Sequence, residues 1–141
     1  RADMTGGQES VAQLDALIAR EIERGVAAEH IFLAGFSQGG AVILSAALAR
    51  TAPLAGLIAL STYLPDSESA SRVDGAVDVP VFMAHGSSDP VIPQAVAAHS
   101  AEKLRALGLD VQWHSYPMAH QVCAEEIDAL GDWLQARLGV A

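Results

Sequence analysis

The run Ile31-Phe32-Leu33-Ala34-Gly35-Phe36-Ser37-Gln38-Gly39-Gly40-Ala41 constrains this chain more than any other stretch. Apolar residues lead into Gly-x-Ser-x-Gly, and a helix-compatible segment from Ala41 to Ala49 follows at once. A strand, a turn and a helix in immediate succession demand a tight, strained turn with small residues around its tip. Gly35 and Gly39 supply that smallness, and glycine also accepts positive φ where a turn requires it. Ser37 is then pushed out at the carboxyl end of the strand, above a helix N-terminus, where a base within reach makes it a nucleophile. Two other readings share the pattern. A Gly-rich turn between strand and helix also cradles phosphate, but there is no Gly-x-Gly-x-x-Gly run and no Lys-Ser/Thr pair after the glycines. The third is a structural turn with an incidental serine.

The rest of the chain supplies a frame for that turn. Thr5 to Glu9 reads as a polar lead-in. Val11, Leu14, Leu17, Ile18 and Ile22 then recur at helical spacing, and Gly25 stops the helix. Ile31 to Ala34 is continuously apolar, as a strand buried on both faces of a parallel sheet is. The helix after Ser37 runs to about Arg50 and ends at Thr51-Ala52-Pro53. Further strands are expected at Leu54–Leu60, at Val79–His85 and at Leu109–Ser115. Pro93 opens a helix as its first residue, and Gly108 closes it. A last amphipathic helix carries Val122, Ile127, Leu130, Leu134 and Leu138. Asp66 to Asp78 is rich in Ser, Asp and Glu and reads as a surface excursion contributing to a rim over the site. Strands separated by helices predict an α/β fold, a parallel sheet flanked by helices with right-handed crossovers.

In such sheets the working groups gather outside the carboxyl ends of the strands. Three of those ends here carry Ser37, Asp89 and His120, in that order. A serine alcohol needs a base to take its proton, and an imidazole suits that role near neutrality. The imidazole in turn needs a carboxylate on its other nitrogen. Each of the three residues has a plainer reading: Asp89 before Pro90 initiates turns, and His120 is one of five histidines. Of the others, His30 precedes a strand, His99 lies in a helix and His114 in a strand. His85 ends a strand and reads as structural. Cys123 opens a helix as a small buried residue, and Trp113 and Trp133 read as core.

Composition excludes several other classes. The 141 residues suffice for one domain, and 51% hydrophobic with 18% charged residues fits a folded globular protein. A formal charge of −9 discourages binding to nucleic acid or to anionic membrane. No apolar run approaches the roughly 20 residues that span a bilayer, so no stable membrane insertion is expected. A single cysteine, Cys123, rules out an internal disulfide and is compatible with a reducing, cytoplasmic location. No Cys/His cluster has zinc-ligand spacing, so no metal is expected.

Four motifs in order resemble the carboxylesterase and acyl-protein thioesterase (lysophospholipase-like) family of α/β-hydrolases. They are Gly35-Phe36-Ser37-Gln38-Gly39-Gly40-Ala41, Leu57-Ile58-Ala59-Leu60-Ser61, His85-Gly86-x-x-Asp89-Pro90-Val91-Ile92-Pro93 and Tyr116-Pro117-Met118-x-His120. The resemblance implies a serine carboxylic-ester hydrolase working through an acyl-enzyme, with no cofactor. Ser37 would be the nucleophile, Asp89 the orienting acid, His120 the general base, and the backbone N–H of Gln38 one oxyanion donor. Small acyl esters, thioesters or lysophospholipids are the implied substrates. Tyr63, Leu64 and Met118 are candidates for lining an acyl groove.

The same resemblance implies that the chain carries the C-terminal two-thirds of the fold, about four strands. Residues 1–141 would then form a single partial α/β-hydrolase domain without the N-terminal strands and the first oxyanion loop. Arg1-Ala2-Asp3-Met4 carries no signal-peptide pattern and reads like the inside of a chain roughly 1.5 times as long. The first strand would then have a bare apolar edge, which predicts homodimers or edge-paired oligomers. A non-catalytic hydrolase-like binding module and an anion-binding half-sheet are the alternatives.

Overall fold

The computed structural model describes residues 4–51, 54–74 and 78–139. Its elements are helix α1 (Met4–Glu23), a short 3-10 turn (Ala28–His30), strand β1 (Phe32–Phe36), helix α2 (Gln38–Leu48), strands β2 (Gly56–Leu60) and β3 (Val81–Gly86), helix α3 (Gln94–Ala106), strand β4 (Val111–Tyr116) and helix α4 (Ala124–Leu138). The four strands form one parallel sheet in the order β1-β2-β3-β4, the α/β architecture expected from the strand–helix alternation.

Register explains how the sheet is buried on both faces. Leu33, Leu57, Val81 and Val111 stand side by side across the four strands. Successive side chains alternate between faces, so this row and its neighbours Ala59 and Met83 point one way. There they meet Ile18 of α1, Ile43, Leu44, Ala47 and Leu48 of α2, and Ala101 and Leu104 of α3 in the main core. The alternate row, with Ile58, Phe82 and Ala84, faces α4. The Trp133 ring lies edge-on to Phe32, with centroids 6.1 Å apart, and tilted against Phe82 at 5.8 Å. Both tryptophans thus serve packing, as expected: Trp133 is buried in the second core and Trp113 is half-buried against the main one.

Several boundaries differ from the sequence expectation. Thr5–Glu9 is helical rather than a lead-in. Once the amphipathic stripe nucleates α1, each added residue gains one hydrogen bond, so polar residues join at little cost. Gly25 at φ 102° does mark the stop. Pro93 is not the first helical residue but the one before it, at ψ 139°, outside the helical region. Ala52 and Pro53, expected to end α2, lie outside the described residues.

The excursion after β2 takes the place of a crossover helix. A link between two parallel strands must return the full length of the sheet. Val73 N–H binds the carbonyl of Leu48 at the end of α2, and Arg72 binds the carbonyl of Leu107 just past α3. Both helices run back against the strands, so this part of the excursion sits at the end of the sheet away from Ser37 and is no rim over it. An ion pair between Arg72 and Asp78, at 2.9 Å, closes it; residues 75–77 lie outside the described set. No helix among the described residues is long and apolar enough to cross a membrane.

Candidate active site

β1 delivers Ser37 and α2 begins at the next residue. Ser37 has φ 56° and ψ −120°, a positive φ that a side-chain-bearing residue adopts only under constraint. The turn therefore loads its strain on the serine and not on its glycines, none of which there has positive φ. The Ser37 N–H continues the sheet by donating to the Leu60 carbonyl at 2.9 Å. A Cβ on Gly35 would lie 2.4 Å from the Gly39 backbone, so only glycine fits. At Gly39 itself a Cβ would meet nothing within 4 Å. The second obligatory glycine is Gly40, where a Cβ would fall 2.6 Å from the Thr62 side chain. Thr62 is buried and donates its hydroxyl to the Ser37 carbonyl at 2.6 Å.

Asp89 sits in the loop between β3 and α3, 7% exposed. Its Oδ1 accepts the N–H groups of Val91 and Ile92, at 2.8 and 2.9 Å. Its Oδ2 faces Nδ1 of His120 at 2.7 Å. Burial pushes this carboxyl upward more than any other single influence. The Ile92 N–H, the His120 ring and the Val91 N–H outweigh it together and hold the group below its ordinary value of 3.8. It is thus an anion at neutral pH.

His120 follows β4, and its Nε2 lies 3.0 Å from Ser37 Oγ. A carboxylate only accepts, so Nδ1 carries the hydrogen and Nε2 is left to take the serine proton. The ring also leans on Phe36, with centroids 4.8 Å apart. Two backbone bonds stitch the loops that carry Asp89 and His120: Ser87 N–H to the Tyr116 carbonyl at 2.8 Å, and Ser88 N–H to the Met118 carbonyl at 3.0 Å. Ser61, buried at the end of β2, reaches the Gln121 carbonyl at 3.3 Å. Gln38 opens α2, so its N–H is among those with no acceptor inside the helix and with the positive end of the helix dipole behind them.

Ser37, Asp89 and His120 are therefore brought together, and Gln38 follows Ser37 at the start of α2. Of the groove candidates, Tyr63 is half-buried. Leu64 must be withdrawn: it packs in the main core at 3% exposure, and its N–H is bound by Ser100 Oγ. Met118 is also buried, and its backbone forms part of the loop seam. Cys123 caps α4, half-buried rather than buried. Thr62 lies outside the motifs quoted from the sequence, and Gly40 and Ser61 stand inside them with no role of their own assigned. Their one signal was position, immediately after a strand or a nucleophile turn.

The sequence pattern of the phospholipase/carboxylesterase family matches residues 1–138. An acyl-protein thioesterase 1 from Neurospora crassa is 40% identical over 141 residues, covering 96% of this chain and 58% of that protein. Another from Gibberella zeae is 41% identical over 127 residues, covering 86% of this chain and 54% of its own length. The chain thus spans somewhat more than half the length of these relatives. The crystal structure of Arabidopsis thaliana SOBER1 superposes with a TM-score of 0.89 at 28% identity, over 98% of this chain and 67% of that one.

Proposed function

Since this chain belongs to the phospholipase/carboxylesterase family of α/β-hydrolases, we propose that it hydrolyses carboxylic esters through an acyl-enzyme formed on Ser37. The observation that carries the reading is His120, which bridges Ser37 Oγ at 3.0 Å and Asp89 Oδ2 at 2.7 Å. Nε2 of His120 takes the serine proton as Oγ attacks the acyl carbon. Asp89 holds the ring in that tautomer and stabilises the imidazolium that forms. The carbonyl oxygen becomes an oxyanion, for which the Gln38 N–H at the start of α2 is the assigned donor. His120 then returns the proton to the leaving alcohol or thiol. Water, deprotonated by the same nitrogen, releases the acid and frees Ser37.

Small acyl esters are the proposed substrate class, with Tyr63 and Met118 the proposed apolar neighbours of the acyl group. Thioesters are included because the relatives from Neurospora crassa and Gibberella zeae are named acyl-protein thioesterases. A fluorophosphonate probe should label Ser37, and p-nitrophenyl acetate should give a burst of product. Ser37→Ala should abolish both. Hydrolysis that persists in that variant would remove Ser37 from the mechanism. A folded wild-type chain that neither labels nor turns over would favour a non-catalytic binding module.

A further inference from the structure

A second imidazole stands against the carboxylate that orients His120. His85, on β3, is 1% exposed, and its ring stacks on Trp113 with centroids 6.3 Å apart and planes 13° from parallel. Its Nε2 lies 2.8 Å from the carbonyl oxygen of Ile92 and 3.4 Å from Oδ2 of Asp89. A carbonyl oxygen only accepts, so Nε2 must carry a hydrogen. That one N–H touches two parts of the same device. Ile92, whose carbonyl it binds, gives its own N–H to Asp89 Oδ1. Oδ2, beside it, is the atom that receives Nδ1–H of His120.

We propose that His85 is a positioning residue that sets how strongly Asp89 acts on His120. The inference rests on the hydrolase reading above. Gripping the Ile92 carbonyl fixes the loop that cradles Asp89. The N–H dipole near Oδ2 also draws on the negative charge that would otherwise be spent on His120 alone. Removing it leaves Oδ2 to His120, which then holds its proton more tightly and is freed as a base only at higher pH. The titratable groups around this centre are His85 from β3, Asp89 from the loop that follows, and His120 from the loop after β4. Tyr116 ends β4 before His120, and Cys123 and Glu126 come after it where α4 begins.

The experiment compares His85→Phe, which keeps a flat ring for Trp113 but no N–H, with His85→Gln, which returns an amide N–H near the Nε2 position. In the Phe variant the acidic limb of the kcat/KM profile should move up by roughly half a pH unit. The Nδ1–H proton resonance of His120 should move downfield. Both should return toward wild type in the Gln variant. A residue that merely packs would lower the plateau and leave limb and resonance where they are, and that result in a folded Phe variant overturns the proposal. Should the Phe variant not fold, nitrogen-resolved spectra of the wild-type chain decide. A His85 ring protonated at Nε2 supports the proposal, and one protonated only at Nδ1 overturns it. The resonances need no turnover, so they read His85 even if Ser37 fails to label, which would count against the hydrolase reading alone.

Discussion

Gly86 lies under the backbone of Met118 so closely that a Cβ at residue 86 would stand 2.2 Å from the Met118 carbonyl oxygen. The neighbouring Ala119 carbonyl would be 2.3 Å away. This is where the loop of Asp89 presses on the loop of His120. The absence of a single side chain lets Asp89 and His120 come within hydrogen-bonding distance. Backbone cannot step aside as a side-chain tip can, so Gly86→Ala should push the loops apart. A misplacement near 1 Å costs about 10²-fold in turnover, and overpacking costs about 1–3 kcal/mol in stability. Turnover of p-nitrophenyl acetate and a denaturant titration read the two effects. Unchanged kinetics would mean that the seam yields without disturbing the triad.

Asp89 ties stability to acid. Its carboxyl is held below 3.8 in the folded chain by the Ile92, His120 and Val91 hydrogens, against the opposing pull of burial. A depressed acid stabilises the fold above its unfolded value, and that contribution is lost as pH falls through the folded value. Asp89→Asn should therefore unfold at lower temperature than wild type at pH 7. The gap should close as pH falls through the depressed folded value, below which the wild-type carboxyl is neutral too. Activity of the variant should fall by about 10⁴-fold at pH 7, because an amide does not hold the required His120 tautomer. Melting curves across pH, taken with esterase rates, check both; a gap that persists undiminished in acid would contradict the linkage.

Glu126 runs the opposite way. It is fully buried near the start of α4, both carboxylate oxygens lack a hydrogen-bond partner among the described residues, and the Cys123 N–H faces it without closing a good bond. Burial raises this acid above its ordinary 4.5, with the Cys123 N–H pulling more weakly downward. A raised acid costs stability as pH climbs above the unfolded value. Glu126→Gln keeps the shape and removes the charge, so it should melt a few degrees higher than wild type at pH 8. Near pH 4 the difference should vanish. A melting temperature that drops at pH 8 would show that the charge is paired.

The element order was legible because β1, β2 and β3 are short apolar runs bounded by turn residues, β4 alternates Val111 and Trp113 with Gln112 and His114, and each helix shows apolar spacing or lies between a Pro and a Gly. That Ser37, Asp89 and His120 meet was legible for a related reason: a parallel sheet collects whatever follows its strands. Contacts that depend on exact separation across the sheet were not legible. Gly39 looked as necessary as Gly35, yet only coordinates show that the crowded partner is Gly40 against Thr62. Leu64 looked like a loop residue with an apolar side chain to offer a substrate. Its role is set by α3, whose Ser100 binds its N–H and whose Ala101 and Leu104 share its core. The path of the excursion was hidden too, because polar composition says that a segment is on the surface without saying at which end.

The backbone at Ser37, with φ at 56°, sets a filter on evolution at this position. Threonine would present the same hydroxyl to the same imidazole, but a branched Cβ is poorly tolerated at such a φ. Cysteine, unbranched, passes the filter and brings a different reactivity. Here backbone geometry decides which exchanges of residue 37 natural variation can explore.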